Sequence, residues 1–210
     1  MINMKKKCIV VDLDQTFIKG NTFHLWLKFL IFQSSFSNLW LTINIVIFVF
    51  FRLIRIISHE KLKRKIIYLS NLQKSKINLD EFINVTDKLI NEDILIKLQN
   101  RTQNEIWILA TAAPAIYSEL IASKYNFDYC ISTSMNFDSE WKENIRNVKL
   151  ENVQSLVNKL NITSIDYLYT DHYDDIPLMR VAKKTYLVNP TIKTLENVKK
   201  YNINYSVINY

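Results

Sequence analysis

The stretch CIVVDLDQTFIKG, residues 8–20, decides how this chain folds. A short β-branched apolar run ends at two carboxylates, Asp12 and Asp14, followed by the polar pair Gln15 and Thr16. An apolar run of this length closed by a polar turn reads as a strand buried on both faces. The i, i+2 spacing would point both carboxylates to one face of a continuing strand. A turn directly after Asp12 instead lets them diverge around one reacting atom. Two nearby acids push one carboxyl's pKa up, and a cation beside them relieves the repulsion.

The same grammar recurs along the chain. EIWILAT (105–111), DYCIS (128–132), DYLYT (166–170) and KTYLV (184–188) are short apolar runs ending at polar turns. Between them lie helical patterns, such as APAIYSELIASKY and KLENVQSLVNKL, in which Leu150, Val153, Leu156, Val157 and Leu160 make one face. Strand alternating with helix argues for the α/β class: a Rossmann-like parallel sheet with helices on both faces. Ligands in such sheets bind outside the carboxyl ends of the strands, where Asp12, Thr111 and Asp171 stand.

Residues 17 to about 104 break this pattern and read as several helices with no clear strand. The expected organisation is a core from 1–18 and 105–210 with an all-helical cap from 19–104, Phe17 to Gly20 forming the hinge. The cap opens with an apolar hairpin at about 23–57, whose second run, LWLTINIVIFVFFRLIRII, has 19 residues but includes Thr42, Asn44, Arg52 and Arg55. A transmembrane helix wants about 20 mostly apolar residues. Two readings stay open. The hairpin packs inside the cap, or it enters one face of a bilayer with Arg52, Arg55, Lys61, Lys63, Arg64 and Lys65 against anionic headgroups.

The chain has 210 residues, about half of them apolar and 22% charged, enough for one generous domain or a core plus a smaller unit. Gly20 is the single glycine, so asparagine takes over turn positions. Net charge is +7, and residues 52–76 carry eight Lys or Arg against one acid, Glu60. That excess is a solvated helix face or a surface that meets phosphate. No nucleic-acid motif accompanies it, so a nucleic-acid partner is not expected. The cysteines, Cys8 and Cys130, sit in apolar runs as small core hydrophobes of a reducing compartment. The start is basic and then apolar, but the apolar run is too short for a signal peptide. The expected location is cytoplasmic, with the inner face of the cell membrane as a peripheral site.

Further residues complete a candidate site. YLYTDHYDDIPLM repeats the opening device, a strand ending in Asp171 and then Asp174 and Asp175. The plain reading of Asp174 and Asp175 is N-terminal capping of a helix with Pro177 in its first turn; Asp171 precedes the turn and has no such role. An acidic pocket repels phosphate unless neutral donors and a cation are added. Thr111 and the backbone N–H groups from Ala112 onward can hold an anion, although Thr111 also reads as a helix N-cap before Pro114. Lys149 begins the next helix, where a positive charge opposes the dipole, so its placement asks for another reason. Lys142 in SEWKENIR is its rival.

The ordered set DLDQT (12–16), ILATAAP (108–114), Lys149 and TDHYDDIPLM (170–179) resembles the haloacid dehalogenase superfamily, and within it the phosphoserine-phosphatase-like branch (subfamily IB) with a helical cap inserted after the first motif. The resemblance spans about residues 7–190. It implies a phosphatase in which Asp12 is the nucleophile that becomes an aspartyl phosphate and Asp14 the general acid/base. Thr111, Ala112 and Lys149 then bind the phosphoryl group. Asp12, the Asp14 backbone carbonyl and Asp171 hold Mg²⁺, with Asp175, Thr16 and Asp174 in support. Three positions depart from the family pattern: Thr170 and Gln15 stand where glycine is usual, and His172 where a small residue is common. Each is expected to narrow the pocket.

Length and apolar content of the cap resemble those of family members acting on phospholipid or prenyl phosphates. The expected substrate is therefore a lipid-linked phosphate met at an anionic membrane surface through residues 39–76, or else a small soluble phosphorylated metabolite. A third reading, of another class, is a catalytically silent lipid- or partner-binding protein of the same fold. The intact acids argue against it.

Overall fold

The computed structural model describes residues 6–137 and 141–210, and of residues 35–37 the backbone alone. The basic start at 1–5 and the opening of SEWKENIR at 139–140 lie outside the described residues. The described strands β1 (Lys7–Val11), β2 (Glu105–Pro114), β3 (Tyr129–Thr133), β4 (Ile165–Thr170), β5 (Ala182–Val188) and β6 (Tyr205–Ile208) form one parallel sheet in the order β3-β2-β1-β4-β5-β6. From β1 the chain builds outward through β2 and β3, then returns to lay β4 against the other side of β1. The strand order reverses at β1/β4, which opens a crevice at their carboxyl ends.

The alternation along each central strand explains burial on both faces. Ile9 and Val11 of β1, with Trp107 and Leu109 of β2, enter one apolar core; Cys8 and Val10, with Ile106 and Ile108, enter the other. The second core is closed by α7 (Arg146–Lys159), α8 (Ile176–Met179) and α9 (Ile192–Lys199) through Val153, Val157, Leu178 and Val198. Burial pushes both cysteine thiols up to about 12, in keeping with free, unreactive core residues. Strand β6 and helix α9 lie beyond the last strand read from the sequence. Tyr205–Ile208 has only four residues at the sheet edge, too short for its pattern to show.

Between β1 and β2 run α1 (Thr22–Ser37), α2 (Leu39–Leu53), α3 (His59–Leu72), α4 (Leu79–Asp87) and α5 (Glu92–Gln99). The side chains of Asn21, Asn38, Ser58 and Asn78 cap the first four, each accepting a backbone N–H three residues on. The polar QSSFSN stretch does not break the chain before Asn38; it forms the last turn of α1. These helices share the first core with α6 (Ala115–Lys124). Trp26 of α1 is fully buried among Phe29, Phe82 and Tyr117, with ring centroids 4.8–5.8 Å apart, and its indole N–H donates to Ser70 Oγ. The two chain crossings are tied together: Lys19 N–H donates to Leu89 O, and Asn91 donates from its backbone N–H to Phe17 O and from its side chain to Thr16 O.

Helix α2 differs from the others. Leu41 and Ile45 are buried, but Leu39, Trp40, Ile43, Val46, Ile47, Phe50 and Leu53 form an outward stripe, Trp40 being 54% and Leu53 73% exposed. At 15 residues it is about 22 Å long. Among the described residues no helix is long and apolar enough to cross a membrane. Lys63, read from the sequence as facing headgroups, is instead buried and ion-paired with Glu143, so that expectation is corrected; α3 turns it inward with Leu62, Ile66 and Ile67. Because Trp26 ties α1, α4 and α6 together, Trp26→Ala is expected to cost about 3–5 kcal/mol. Urea denaturation measures it, and a loss under 1 kcal/mol would mean the aromatic cluster is not holding these helices to the sheet.

Candidate active site

The turn after β1 places the two carboxylates apart. Asp12 N–H continues the ladder by donating to Tyr169 O, 2.9 Å, whereas Gln15 takes a left-handed backbone, φ 56°. That turn closes on itself, Ile18 N–H donating to Leu13 O. Asp12 therefore stays at the strand end, and Asp14 swings toward α1, where Thr22 N–H at the first turn donates to its Oδ1 at 2.6 Å. A carboxylate at a helix N-terminus meets the positive end of the dipole. Burial nevertheless pushes the Asp14 carboxyl up, against the opposing pull of Thr22 and Lys63.

Lys149 reaches the same point from the first turn of α7. Its Nζ donates to Asp12 Oδ1 at 2.7 Å and to Asp175 Oδ2 at 2.8 Å, and the side chain is 4% exposed. Burial alone would push this ammonium down; the two carboxylates outweigh it and hold the residue charged. The dipole conflict noted at this lysine is resolved by its two anionic partners. Lys142 is exposed and takes no part.

Asp175 does not cap α8; its carboxylate accepts from Lys149 and from Thr170 Oγ1 at 2.7 Å. Asp174 is held by Arg146 Nε at 2.8 Å, and its carboxyl falls to about 2 through the neighbouring His172 and that arginine. Thr111 is buried and does not cap α6 either; Pro114 occupies the cap, and Thr111 Oγ1 accepts from Ala113 N–H at 3.0 Å. Asn144, which the sequence did not single out, donates to Thr111 O and Ile131 O and so fixes the ends of β2 and β3. Thr16 lies beneath the turn, with no hydrogen-bond partner for its Oγ1 among the described residues.

These groups surround a cavity of about 380 Å³. It is lined by Asp12, Asp14, Thr111, Ala112, Lys149, Asp171, Asp174 and Asp175, so all the expected residues but Thr16 meet there. Asn21, His59 and Glu143 line it too. No local pattern marked these three, because each arrives from a different turn. Of the three departures, Gln15 and His172 line the cavity. Thr170 does not; it is buried behind, and its hydroxyl holds Asp175 where glycine could not.

Asp12 and Asp171 are the unresolved charges. Burial first, then neighbouring carboxylates, pushes Asp12 up to about 7 and Asp171 up to about 8, and Asp171 has no cation paired with it among the described residues. Among the described residues no three Asp, Glu, His or Cys side chains group to hold a metal ion. The expected set numbers only two carboxylates, completed by the Asp14 main-chain carbonyl. Hard oxygen donors with excess negative charge fit Mg²⁺.

The comparisons with known proteins bear on this arrangement. A family model described as haloacid dehalogenase-like hydrolase matches residues 9–180. No curated protein matches the chain. A Bordetella pertussis Tohama I protein of unknown function has a similar structure, with TM-score 0.77, 14% identity and coverage of 96% of this chain and 98% of that one. A HAD family hydrolase from Salmonella enterica serovar Typhi gives 0.66, 16%, 98% and 68%. A substrate-bound phosphoserine phosphatase gives 0.59, 15%, 97% and 94%. At these identities the likeness is one of fold.

Folding of the metal-free chain takes up protons at Asp12 and Asp171, whose carboxyls rise from 3.8 to about 7 and about 8. Their contribution is present below pH 4 and lost as pH rises to about 8. Denaturation at pH 5 and pH 8 without divalent ions should show this decline, and Asp171→Asn should flatten it. Parallel pH curves for the two proteins would show that Asp171 is not forced into a low-dielectric site.

Proposed function

Because this chain belongs to the haloacid dehalogenase-like hydrolases, we propose that it is a Mg²⁺-dependent phosphomonoesterase working through an aspartyl phosphate. The observation that carries the reading is the convergence of Asp12, Lys149 and Asp175 beside an unpaired Asp171. In the first step an Asp12 oxygen bonds to phosphorus as the ester P–O bond breaks, and Asp14 gives its proton to the departing oxygen. In the second, Asp14 takes a proton from water, the water oxygen bonds to phosphorus, and the bond to Asp12 breaks, releasing inorganic phosphate. Lys149 and Thr111 hold the phosphoryl oxygens, Asp175 and Thr170 keep Lys149 aimed, and Ala112 supplies backbone. Asp12, Asp171 and the Asp14 carbonyl would hold Mg²⁺, which when bound offsets the charge gathered on those oxygens. In this reading residues 19–104 act as the cap over a core of 1–18 and 105–210.

The proposed substrate is a lipid-linked phosphate met at the inner membrane face. The outward stripe of α2 supports this, flanked by Arg52, Arg55, Lys61, Arg64 and Lys65. A helix of this length with one apolar side suits lying in the headgroup boundary. Likeness of fold to phosphoserine phosphatases favours the second reading, a small soluble metabolite.

Purified protein with Mg²⁺ should release phosphate from p-nitrophenyl phosphate. Asp12→Asn should abolish release, and Asp14→Asn should lower it about 10²- to 10⁴-fold; release surviving Asp12→Asn removes the nucleophile assignment. The protein should float with anionic liposomes, and Phe50→Glu should weaken flotation. A wild-type protein that stays with the soluble fraction excludes membrane action.

A further inference from the structure

A second cavity of about 420 Å³ adjoins the first, and His59 lines both. Its apolar walls come from three helices, Phe23 and Leu27 of α1, Val49 and Leu53 of α2, and Leu62 of α3, with His24 of α1 set among them. Phe23 packs edge-on to His59 with centroids 6.0 Å apart, so these two rings stand where the cavities meet. At the other end Leu53 belongs to both the cavity wall and the outward stripe of α2. The sequence of environments is therefore charged pocket, aromatic divide, apolar groove, exposed apolar helix face.

The mouth carries Arg52 and Arg55, neither of which has an ion-pair partner among the described residues. Arg55 sits in a left-handed conformation, φ 61°. In this glycine-poor chain that conformation falls mainly to asparagine, at Asn126, Asn161, Asn189 and Asn202. Asparagine tolerates it better than longer side chains. The described exceptions are Gln15, Arg146 and Arg55. Gln15 lines the charged pocket and Arg146 holds Asp174 there, whereas Arg55 takes this conformation as the residue that ends α2, its N–H donating to Arg52 O and the Ile56 N–H to Phe51 O.

We propose that this groove is the subsite for the hydrocarbon part of an amphiphilic phosphomonoester whose phosphate lies at Asp12. The proposal rests on the phosphatase reading and deepens it. A small polar metabolite has no use for an apolar groove running from the reacting group to an exposed helix face. A chain drawn from a bilayer enters at Leu53, passes Val49 and Leu27, and meets Phe23 and His59 beside the phosphate. Arg52 and Arg55 hold the mouth against the anionic headgroups around it.

The test is a series of n-alkyl phosphates from ethyl to decyl, kept below micelle formation, with phosphate release read as kcat/KM. Wild-type protein should gain about fourfold per methylene that enters the groove, then level off. Val49→Glu should lower the decyl-to-ethyl ratio at least ~10-fold, whereas Trp40→Glu, on the stripe away from the groove, should not. Equal kcat/KM for ethyl and decyl, with aryl phosphate still hydrolysed, overturns the groove and leaves the phosphatase reading standing. A ratio lowered equally by Trp40→Glu also overturns it, since the chain then lies on the outer face. If no phosphate ester is hydrolysed, the phosphatase reading fails instead. Calorimetry with ethyl- and decylphosphonate then decides the groove: tighter decyl binding, weakened by Val49→Glu, supports it, and equal affinities overturn it.

Discussion

The buried ammonium of Lys149 between Asp12 and Asp175 is the interaction on which the rest depends. Three strand or helix ends, from β1, β4 and α7, must arrive within about 3 Å of one nitrogen. Removing any partner leaves a charge in a low-dielectric place, which costs several kcal/mol. The reversal of strand order at β1/β4 makes this convergence geometrically available. Thr170 adds a second donor to Asp175, so a position where glycine is usual in the resembling family serves here to hold an acid.

That arrangement leaves an imbalance. One lysine faces Asp12, Asp175, Asp14 and Asp171, and Asp171 has no ion-pair partner among the described residues. Like charges gathered around one ammonium in a buried place cost stability. Such local conflict between folding and charge is expected where chemistry is done. Helix α2 shows the same kind of conflict in apolar form. Its two buried residues hold it to the protein, while its stripe stands in water at a cost that only another surface removes.

Much of this was legible in the chain. The strands at 7–11, 105–111 and 166–170 carried their own pattern, and Asp12 and Asp171 directly follow strands, with Lys149 in the first turn of a helix; β2 runs on to Pro114, so Thr111 lies within it and not at its end. Other features were not. Lys63 looks like its neighbours Lys61, Arg64 and Lys65 in sequence, yet the helical turn directs it inward to Glu143. Capping explained Asp175 and Thr111 equally well on paper; neighbours from other elements assign Asp175 to Lys149 and Thr170, whereas Thr111 accepts from Ala113 within its own strand. Glu143 and Asn144 have no local signature because their partners lie on other segments, and the local role of Asn21, capping α1, says nothing of the cavity it also lines.

Short-range pattern in the chain carries the class of fold, the order of its elements and the acids that end two strands. Periodicity and turn chemistry act between residues a few positions apart, so they survive in a linear text. The tertiary structure alone decided which charges meet, which lysine of a basic run is buried, which side of the apolar helix faces out, and that an apolar groove adjoins the charged pocket. Those depend on distances between segments far apart in the chain, as the 137 residues from Asp12 to Lys149. Such distances are set by packing of the whole core around a twisted sheet, which no single stretch contains.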